Sequence, residues 1–173
     1  GEPPLDPESL VRLGKAIAEV FLGSRGRHSI LIGKDTRLSG YMIENALVAG
    51  ITAMGATAQL SGPLPTPGVS YLARSMRSDA GVMISASHNP YEDNGIKIFA
   101  SDGYKLADDI ERRIEELMQP GALNGKTAEP SSIGKAFRLD DAVGRYAVYL
   151  KGCFPRELSL EGLRIGLDCA NGA

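Results

Sequence analysis

The feature that most constrains the fold is a regular alternation between short apolar segments and segments with the pattern of amphipathic helices. SILIG (29–33), TAQLSG (57–62) and AGVMISA (80–86) have the length and apolar content of buried strands. Between them, apolar residues recur at helical spacing in segments that begin near Ser39, a candidate capping residue, and at Thr66. This order predicts an α/β fold with three parallel strands and helices on both faces of the sheet.

Further elements flank this unit on both sides. A helix is predicted from Pro7 to Leu22, after a capping aspartate, and an amphipathic helix from Leu106 to Met118. GIKIFA (95–100) is a fourth strand, reached through an Asn94-Gly95 turn that favours positive φ and leaves no room for a helix. The fourth strand should therefore run antiparallel to the third. We predict a three-layer α/β/α domain around a mixed, mostly parallel four-stranded sheet.

The last part of the chain predicts the opening of a second domain. Residues 119–137 are rich in Gly, Pro and Ser and have the composition of a linker. A helix at 140–150 and a strand at 163–168 follow, and they cannot close a core by themselves. We therefore predict a first domain at 1–137 and the beginning of a second α/β domain at 138–173. The missing initiator Met and the stop at a glycine turn lead us to expect a piece of a longer protein.

Composition excludes several classes of partner. The formal net charge of −2 provides no broad basic field for nucleic acid or an anionic membrane surface. No run of 18 apolar residues is present to span a bilayer, and no signal peptide is visible. The two cysteines lack the spacing of a metal site and are expected to be reduced thiols. We expect a cytoplasmic protein without nucleic-acid or membrane partners.

Polar segments follow each of the three parallel strands, at the edge where such sheets bind ligands. These segments are KDTR, GPLPTP and SASHNP. The fourth strand starts at the same edge. The edge should therefore carry a hydroxyl, an imidazole, an amide and three cations: Ser87, His88, Asn89, Lys34, Arg37 and Lys97. Cations beside a hydroxyl in a crevice suit a phosphate group.

The adjacent Ser87 and His88 do not predict a hydrolase. In an extended backbone neighbouring side chains point apart, so a nucleophile–base contact between them is not expected. Neither the G-x-S-x-G motif nor a P-loop occurs. Plainer roles also stay open, since Asp35 and Arg37 can pair with each other and Lys97 can be an exposed strand residue. Spacing alone supports an anion site and names no reaction.

The combined pattern resembles the α-D-phosphohexomutase superfamily. GVMISASHNPYEDNGIKIF resembles the active-site loop of that family, and IGKDTRLSGYMIENAL, GPLPTPGVSYL and LDCANGA match its other landmarks in the same order. The resemblance covers essentially the whole chain. YEDNGIKIF and GRYAVYLKGCFPRELSL are most similar to the bacterial branch that acts on glucosamine phosphates. The alternatives are the branch that acts on mannose or glucose phosphates and a non-catalytic phosphate-binding module.

This resemblance implies a reaction. Ser87 would carry a phosphoryl group, and glucosamine 6-phosphate would be converted to glucosamine 1-phosphate through a bisphosphorylated intermediate, towards UDP-N-acetylglucosamine. The implied partner is a small hexosamine phosphate, and the implied primer is glucose 1,6-bisphosphate or glucosamine 1,6-bisphosphate. A homodimer of the full-length enzyme is left open.

The resemblance also assigns roles around the serine. His88 and Lys97 match residues for proton transfer and for contact with the transferring phosphoryl group, and we prefer Lys97 as the acid/base group because of the adjacency argument. Arg37 and Asn89 match residues that border the substrate and shape the loop. Mg²⁺ would bind an oxygen of phosphorylated Ser87 and three aspartates that lie outside this chain.

Parts of the family pattern are missing from this sequence. The T-D-G-I-R-G segment, the D-x-D-x-D-R metal loop and the sugar-reading regions do not occur. We therefore expect the chain by itself to fold, at least through residue 137, and to show no turnover.

Overall fold

The fold is built on one mixed sheet with the strand order β4-β3-β1-β2-β5. The structure, a computed structural model, describes residues 5–23 and 28–173. The strands are β1 (Ser29–Lys34), β2 (Thr57–Pro63), β3 (Ala80–Ile84), β4 (Ile96–Ala100) and β5 (Ala136–Arg138). The first three strands and β5 are parallel, and β4 runs antiparallel to β3 as predicted.

Helices cover both faces of this sheet, which confirms the predicted three-layer α/β/α arrangement. They are α1 (Pro7–Phe21), α2 (Ser39–Ala53), α3 (Thr66–Ser75), α4 (Asp108–Met118) and α5 (Ala142–Cys153). Ile30 and Ile32 of β1 are buried in the cluster with α1, α2 and α4, whereas Leu31 is buried on the opposite face with α3. This alternation is the period of two expected for a strand between two helical layers. In the described residues, no helix combines the length and the apolar character that crossing a membrane requires.

Two glycines allow α1 and α2 to cross closely. A Cβ atom on Gly14 would lie 2.4 Å from the carbonyl oxygen of Leu47, and one on Gly50 would lie 2.2 Å from that of Val11. These obstacles are backbone atoms, which cannot rotate away. Only glycine therefore fits at both positions without separating the helices.

Of the two predicted helix caps, one is confirmed and the other is wrong. Asp6 caps α1 as predicted, since its carboxylate accepts a hydrogen bond from the backbone N–H of Ser9 at 2.8 Å. This bond holds the pKa of Asp6 below its ordinary value. The prediction for Ser39 is wrong: Leu38 occupies the cap position of α2. The Ser39 hydroxyl instead donates to the side-chain oxygen of Asn94, in the loop after β3.

The sheet has five strands and not the predicted four, because β5 pairs with β2 at its edge. This strand lies where a linker was predicted and is held by main-chain bonds, with Ala58 N–H donating to the Lys135 carbonyl and Leu139 N–H to the Leu60 carbonyl, both at 2.8 Å. Its three side chains are exposed, so no apolar alternation marked it in the sequence. The predicted domain division at 137/138 falls within β5, and the division itself stays a prediction.

Only part of the C-terminal segment packs against the rest of the fold. Ala142 of α5 is buried against the α3 side, and the ring of Tyr149 stacks on that of Tyr71 with centroids 4.0 Å apart. Residues 154–173 contain no helix or strand and are exposed. The strand predicted at 163–168 is therefore absent, and no strand among the described residues lies beside this segment to accept its backbone hydrogen bonds.

Candidate active site

The polar segments predicted to meet do meet, at the carboxyl ends of the parallel strands. Residues 35–38 after β1, Pro65 and Thr66 at the start of α3, and the loop after β3 border an open cleft of about 910 Å³. The end of the chain borders the same cleft, since the Thr36 hydroxyl donates to the Asn171 carbonyl at 2.6 Å. We call residues 85–95, which join β3 to β4, the serine loop.

Ser87 has a backbone conformation that serine rarely adopts. Its φ is +60°, in the left-handed region, which costs about 1–3 kcal/mol and persists only where the surroundings hold it. Both of its backbone polar groups are held. Its N–H donates to the Ser85 hydroxyl and its carbonyl accepts from Arg37 Nη2, each at 3.0 Å. The exposed Ser87 hydroxyl thus stands at the cleft on a fixed backbone.

The side chains of Ser87 and His88 are in contact, contrary to the sequence prediction. Ser87 Oγ lies 3.3 Å from His88 Nδ1. The prediction assumed an extended backbone, and the left-handed φ of Ser87 removes that assumption. The preference for Lys97 over His88 rested on the same assumption and loses that support. A serine–histidine contact alone does not make a hydrolase, which also needs a group that orients the histidine.

Arg37 is bound to the serine loop through its guanidinium. Nη2 donates to the carbonyls of Ser87 and Asn89 at 3.0 Å each, and Nη1 donates to the carbonyls of Asp93, at 3.0 Å, and of Pro90. Nε donates to the Asp35 carboxylate at 2.9 Å, so the plain pairing of these two residues left open by the sequence is present. The assignment of Arg37 to substrate binding stays a prediction.

The rest of the serine loop is closed by local contacts. Asn89 donates from its side chain to the Asp93 carboxylate at 3.1 Å, so it shapes the loop. The Ser85 N–H donates to the Gly95 carbonyl at 2.8 Å, and a Cβ on Gly95 would lie 2.7 Å from the Ser85 carbonyl oxygen. Only glycine therefore fits at position 95, because the backbone of Ser85 approaches it closely. Neither Asn94 nor Gly95 has the positive φ expected at this turn.

Lys97 and Lys34 lie in different surroundings, although both were predicted at this edge. Lys97 is exposed on β4 and is not among the residues that border the cleft, although it pairs in register with Met83, which is. Lys34 ends β1 but is buried, where its Nζ pairs with Glu44 and lies 3.7 Å from the centroid of the Tyr41 ring. The expectation that Lys34 supplies a cation to the cleft is therefore wrong.

A divalent metal, implied by the resemblance, does not find a complete set of ligands here. Among the described residues no group of three or more His, Cys, Asp or Glu side chains could hold an ion. At the cleft, Ser87 offers a single oxygen, which fits one ligand of the predicted set and no more. No complete metal centre is therefore formed among residues 5–23 and 28–173.

Comparison with known proteins decides the family. The model of the phosphoglucomutase/phosphomannomutase α/β/α domain I matches residues 1–124. The chain belongs to this family. This match confirms the resemblance to phosphohexomutases that was inferred from the sequence.

Curated relatives within the phosphoglucomutase/phosphomannomutase family are considerably longer than this chain. Phosphoglucosamine mutases of Geotalea uraniireducens (strain Rf4) and Pelobacter propionicus (strain DSM 2379) are each 57% identical to it, and that of Myxococcus xanthus (strain DK1622) is 55% identical. Each match covers 98% of this chain. The chain spans 37% of the Geotalea and Myxococcus enzymes and 38% of the Pelobacter enzyme.

Solved structures of the family share this fold. A phosphoglucomutase/phosphomannomutase family protein from Burkholderia thailandensis superimposes with a TM-score of 0.69 at 24% identity, over 86% of this chain and 32% of that one. A structure from Thermus thermophilus superimposes with a TM-score of 0.68 at 30% identity, over 83% and 31%. The α/β/α fold is therefore that of the family.

Proposed function

We propose that this chain supplies the phosphoryl-carrying serine of a phosphoglucosamine mutase. In this proposal Ser87 carries the phosphoryl group, and glucosamine 6-phosphate and glucosamine 1-phosphate are interconverted through the 1,6-bisphosphate. The observation that carries the proposal is the exposed Ser87 hydroxyl, held at the cleft by a fixed left-handed backbone. The identity of 57% with enzymes of that name supports glucosamine as the sugar, whereas the Thermus thermophilus structure, which is named as a phosphomannomutase, is 30% identical.

The chemistry needs a phosphoryl group to move between two oxygens. A sugar hydroxyl attacks the phosphorus of phosphoserine 87, the bond between phosphorus and Ser87 Oγ breaks, and a bond between phosphorus and the sugar oxygen forms. The sugar hydroxyl loses its proton to a base, and Ser87 Oγ gains one. His88, whose Nδ1 lies 3.3 Å from Ser87 Oγ, would supply or accept that proton. Lys97, on the neighbouring strand, would stabilise the charge on the phosphoryl oxygens.

The remaining parts of the proposal concern groups outside this chain. Ser87, through its phosphate, would supply one ligand to Mg²⁺, and a bound Mg²⁺ would neutralise charge on the transferring phosphoryl group. A hexose 1,6-bisphosphate would first load the serine. We propose a cytoplasmic enzyme whose partner is a small hexosamine phosphate, with Asn89 shaping the loop on which it acts.

A chimera tests whether this chain provides the reactive serine. Residues 1–173 replace the matched part of the Geotalea uraniireducens phosphoglucosamine mutase, and we call this protein the chimera. After incubation with glucose 1,6-bisphosphate, intact-mass and peptide mass spectrometry should find one phosphoryl group, on Ser87. Phosphorus NMR should then show interconversion of the two glucosamine phosphates.

The matched control is Ser87→Ala in the chimera, with Ser85→Ala as a second serine variant. The first should lose both the phosphoryl group and the activity, whereas the second should keep Ser87 as the labelled residue. Labelling elsewhere, or activity that survives Ser87→Ala, would contradict the proposal. Since the chimera takes its other regions from a relative, the sugar is tested on the native protein that contains this sequence, by comparing glucosamine, glucose and mannose phosphates.

A further inference from the structure

The guanidinium of Arg37 has no N–H left for a ligand. An arginine side chain carries five N–H donors. One donates to the Asp35 carboxylate, and the other four donate to the carbonyls of Ser87, Asn89, Pro90 and Asp93. The Arg37 side chain is 11% exposed. An arginine that binds a substrate phosphate needs free donors directed into the cleft, and this one has none.

We infer that Arg37 is a positioning residue, which fixes the serine loop in the conformation that presents the Ser87 hydroxyl, and that it is not a phosphate ligand. This inference rests on the proposed function of Ser87 and deepens it. Arg37 acts on Ser87 through the backbone, because it holds the serine carbonyl from one side while the Ser85 hydroxyl holds the serine N–H from the other.

Asp35 anchors this arrangement to the sheet. Its backbone N–H donates to the carbonyl of Ile84, the last residue of β3, at 3.0 Å. Its carboxylate accepts from both the backbone N–H and the Nε of Arg37, at 3.1 and 2.9 Å. The guanidinium is therefore fixed relative to the strand from which the serine loop departs. The carboxylate also balances the charge of a mostly buried arginine.

The two roles predict opposite behaviour of lysine at position 37. Lysine keeps the positive charge, but its single nitrogen has three donors and lacks the planar fork needed to reach four carbonyls and a carboxylate together. If Arg37 bound phosphate, Arg37→Lys would retain much of the function that Arg37→Met loses. If Arg37 positions the loop, both variants should lose function to a similar extent.

The kinetic experiment uses the chimera with Arg37→Lys and Arg37→Met, and Arg112→Met as a control on the exposed side of α4. Positioning predicts that kcat falls about 100-fold or more in both Arg37 variants, the scale of a misplacement of about 1 Å, while KM for glucosamine 1-phosphate stays within about threefold. Arg112→Met should match the unmodified chimera. A KM that rises about tenfold in Arg37→Met and recovers in Arg37→Lys would overturn the inference.

Hydrogen exchange on the 173-residue chain provides a test that does not depend on the reaction. In both Arg37 variants the backbone amides of residues 86–94 should exchange at least about tenfold faster, while those of β1 and α2 keep their rates. Unchanged exchange in the serine loop would overturn the inference. If the unmodified chimera carries no phosphoserine, the proposed function fails, and the exchange experiment still decides whether Arg37 holds the loop.

Discussion

At the scale of single residues, the unusual φ of Ser87 has a cost that can be measured. Glycine adopts φ near +60° without the steric penalty of a Cβ atom. In the 173-residue chain, Ser87→Gly should therefore unfold with a higher free energy than Ser87→Ala, by about 1 kcal/mol. Urea unfolding followed by circular dichroism measures the difference.

The control for this prediction is Ser101, an exposed turn residue without positive φ. There the order should reverse, because glycine adds conformational entropy to the unfolded chain without relieving strain. Ser87→Gly that is less stable than Ser87→Ala would show that the serine is not held in the left-handed region in solution.

The contact between Ser87 and His88 predicts which side chain moves the proton. In the chimera, His88→Gln should lower kcat/KM about 10²–10⁴-fold, the usual contribution of a general acid or base. Intact-mass measurements should show that phosphoserine 87 still forms but is discharged slowly to glucosamine 1-phosphate. Lys97→Met is the comparison. A loss of that size in Lys97→Met, together with a His88→Gln variant within about threefold of the unmodified chimera, would assign the proton transfer to Lys97.

At the scale of secondary-structure elements, the crossing of α1 and α2 depends on the absence of side chains. Gly50→Ala should destabilise the chain by about 1–3 kcal/mol, because the new methyl group meets the Val11 carbonyl and the helices must separate. Gly144 in α5 is the matched control, since nothing lies within 4 Å of a Cβ built there. Gly144→Ala should be neutral or stabilise by up to about 1 kcal/mol. Equal effects of the two substitutions would contradict the close crossing.

The strands that the sequence predicted correctly are those whose side chains meet the core. Ile30, Leu31 and Ile32 are all buried, so β1 carried a strong apolar signal. In contrast, the three residues of β5 are all exposed, and the segment expected as a strand at 163–168 has an apolar pattern but pairs with no strand among the described residues. A sequence pattern indicates which side chains are buried. It does not indicate which segments of backbone pair with a neighbouring strand.

The sequence predicted the location of the candidate site better than it predicted the contacts within the site. Parallel topology alone placed Ser87 and Arg37 at the same edge. The φ of Ser87 was not predictable, because Arg37, which holds its carbonyl, lies 50 residues away in the sequence. Separation along the sequence also explains why the cap prediction for Ser39 was wrong, since its hydroxyl is bound to Asn94, 55 residues further along the chain. Local propensity cannot anticipate such partners.

At the scale of the whole molecule, the cleft is short of charge for the task proposed. Lys34 pairs with Glu44, and all donors of Arg37 are bound to the serine loop and Asp35. No metal-binding cluster is present in residues 5–23 or 28–173. A sugar bisphosphate carries several negative charges. Among the described residues that border the cleft, Arg37 is the only lysine or arginine. The proposed reaction therefore requires cationic groups beyond those that this cleft offers.

This shortage predicts that the 173-residue chain does not catalyse the reaction. It should unfold cooperatively, yet phosphorus NMR should detect no conversion of glucosamine 6-phosphate, even with Mg²⁺ and glucose 1,6-bisphosphate present. The chimera, assayed at the same concentration, is the positive control. Turnover by the purified chain would show that the cleft as described is sufficient.

The contacts of the serine loop also limit how the loop can be exchanged between proteins. Its two ends are tied at Ser85 and Gly95, so it has the closed form of an Ω-loop. Its long-range side-chain contacts reach Arg37 and Ser39. A graft that moves residues 85–95 alone into a protein without an arginine at the position of Arg37 would leave four carbonyls without their donors. The transferable unit consists of two segments, 35–39 and 85–95, which have to change together.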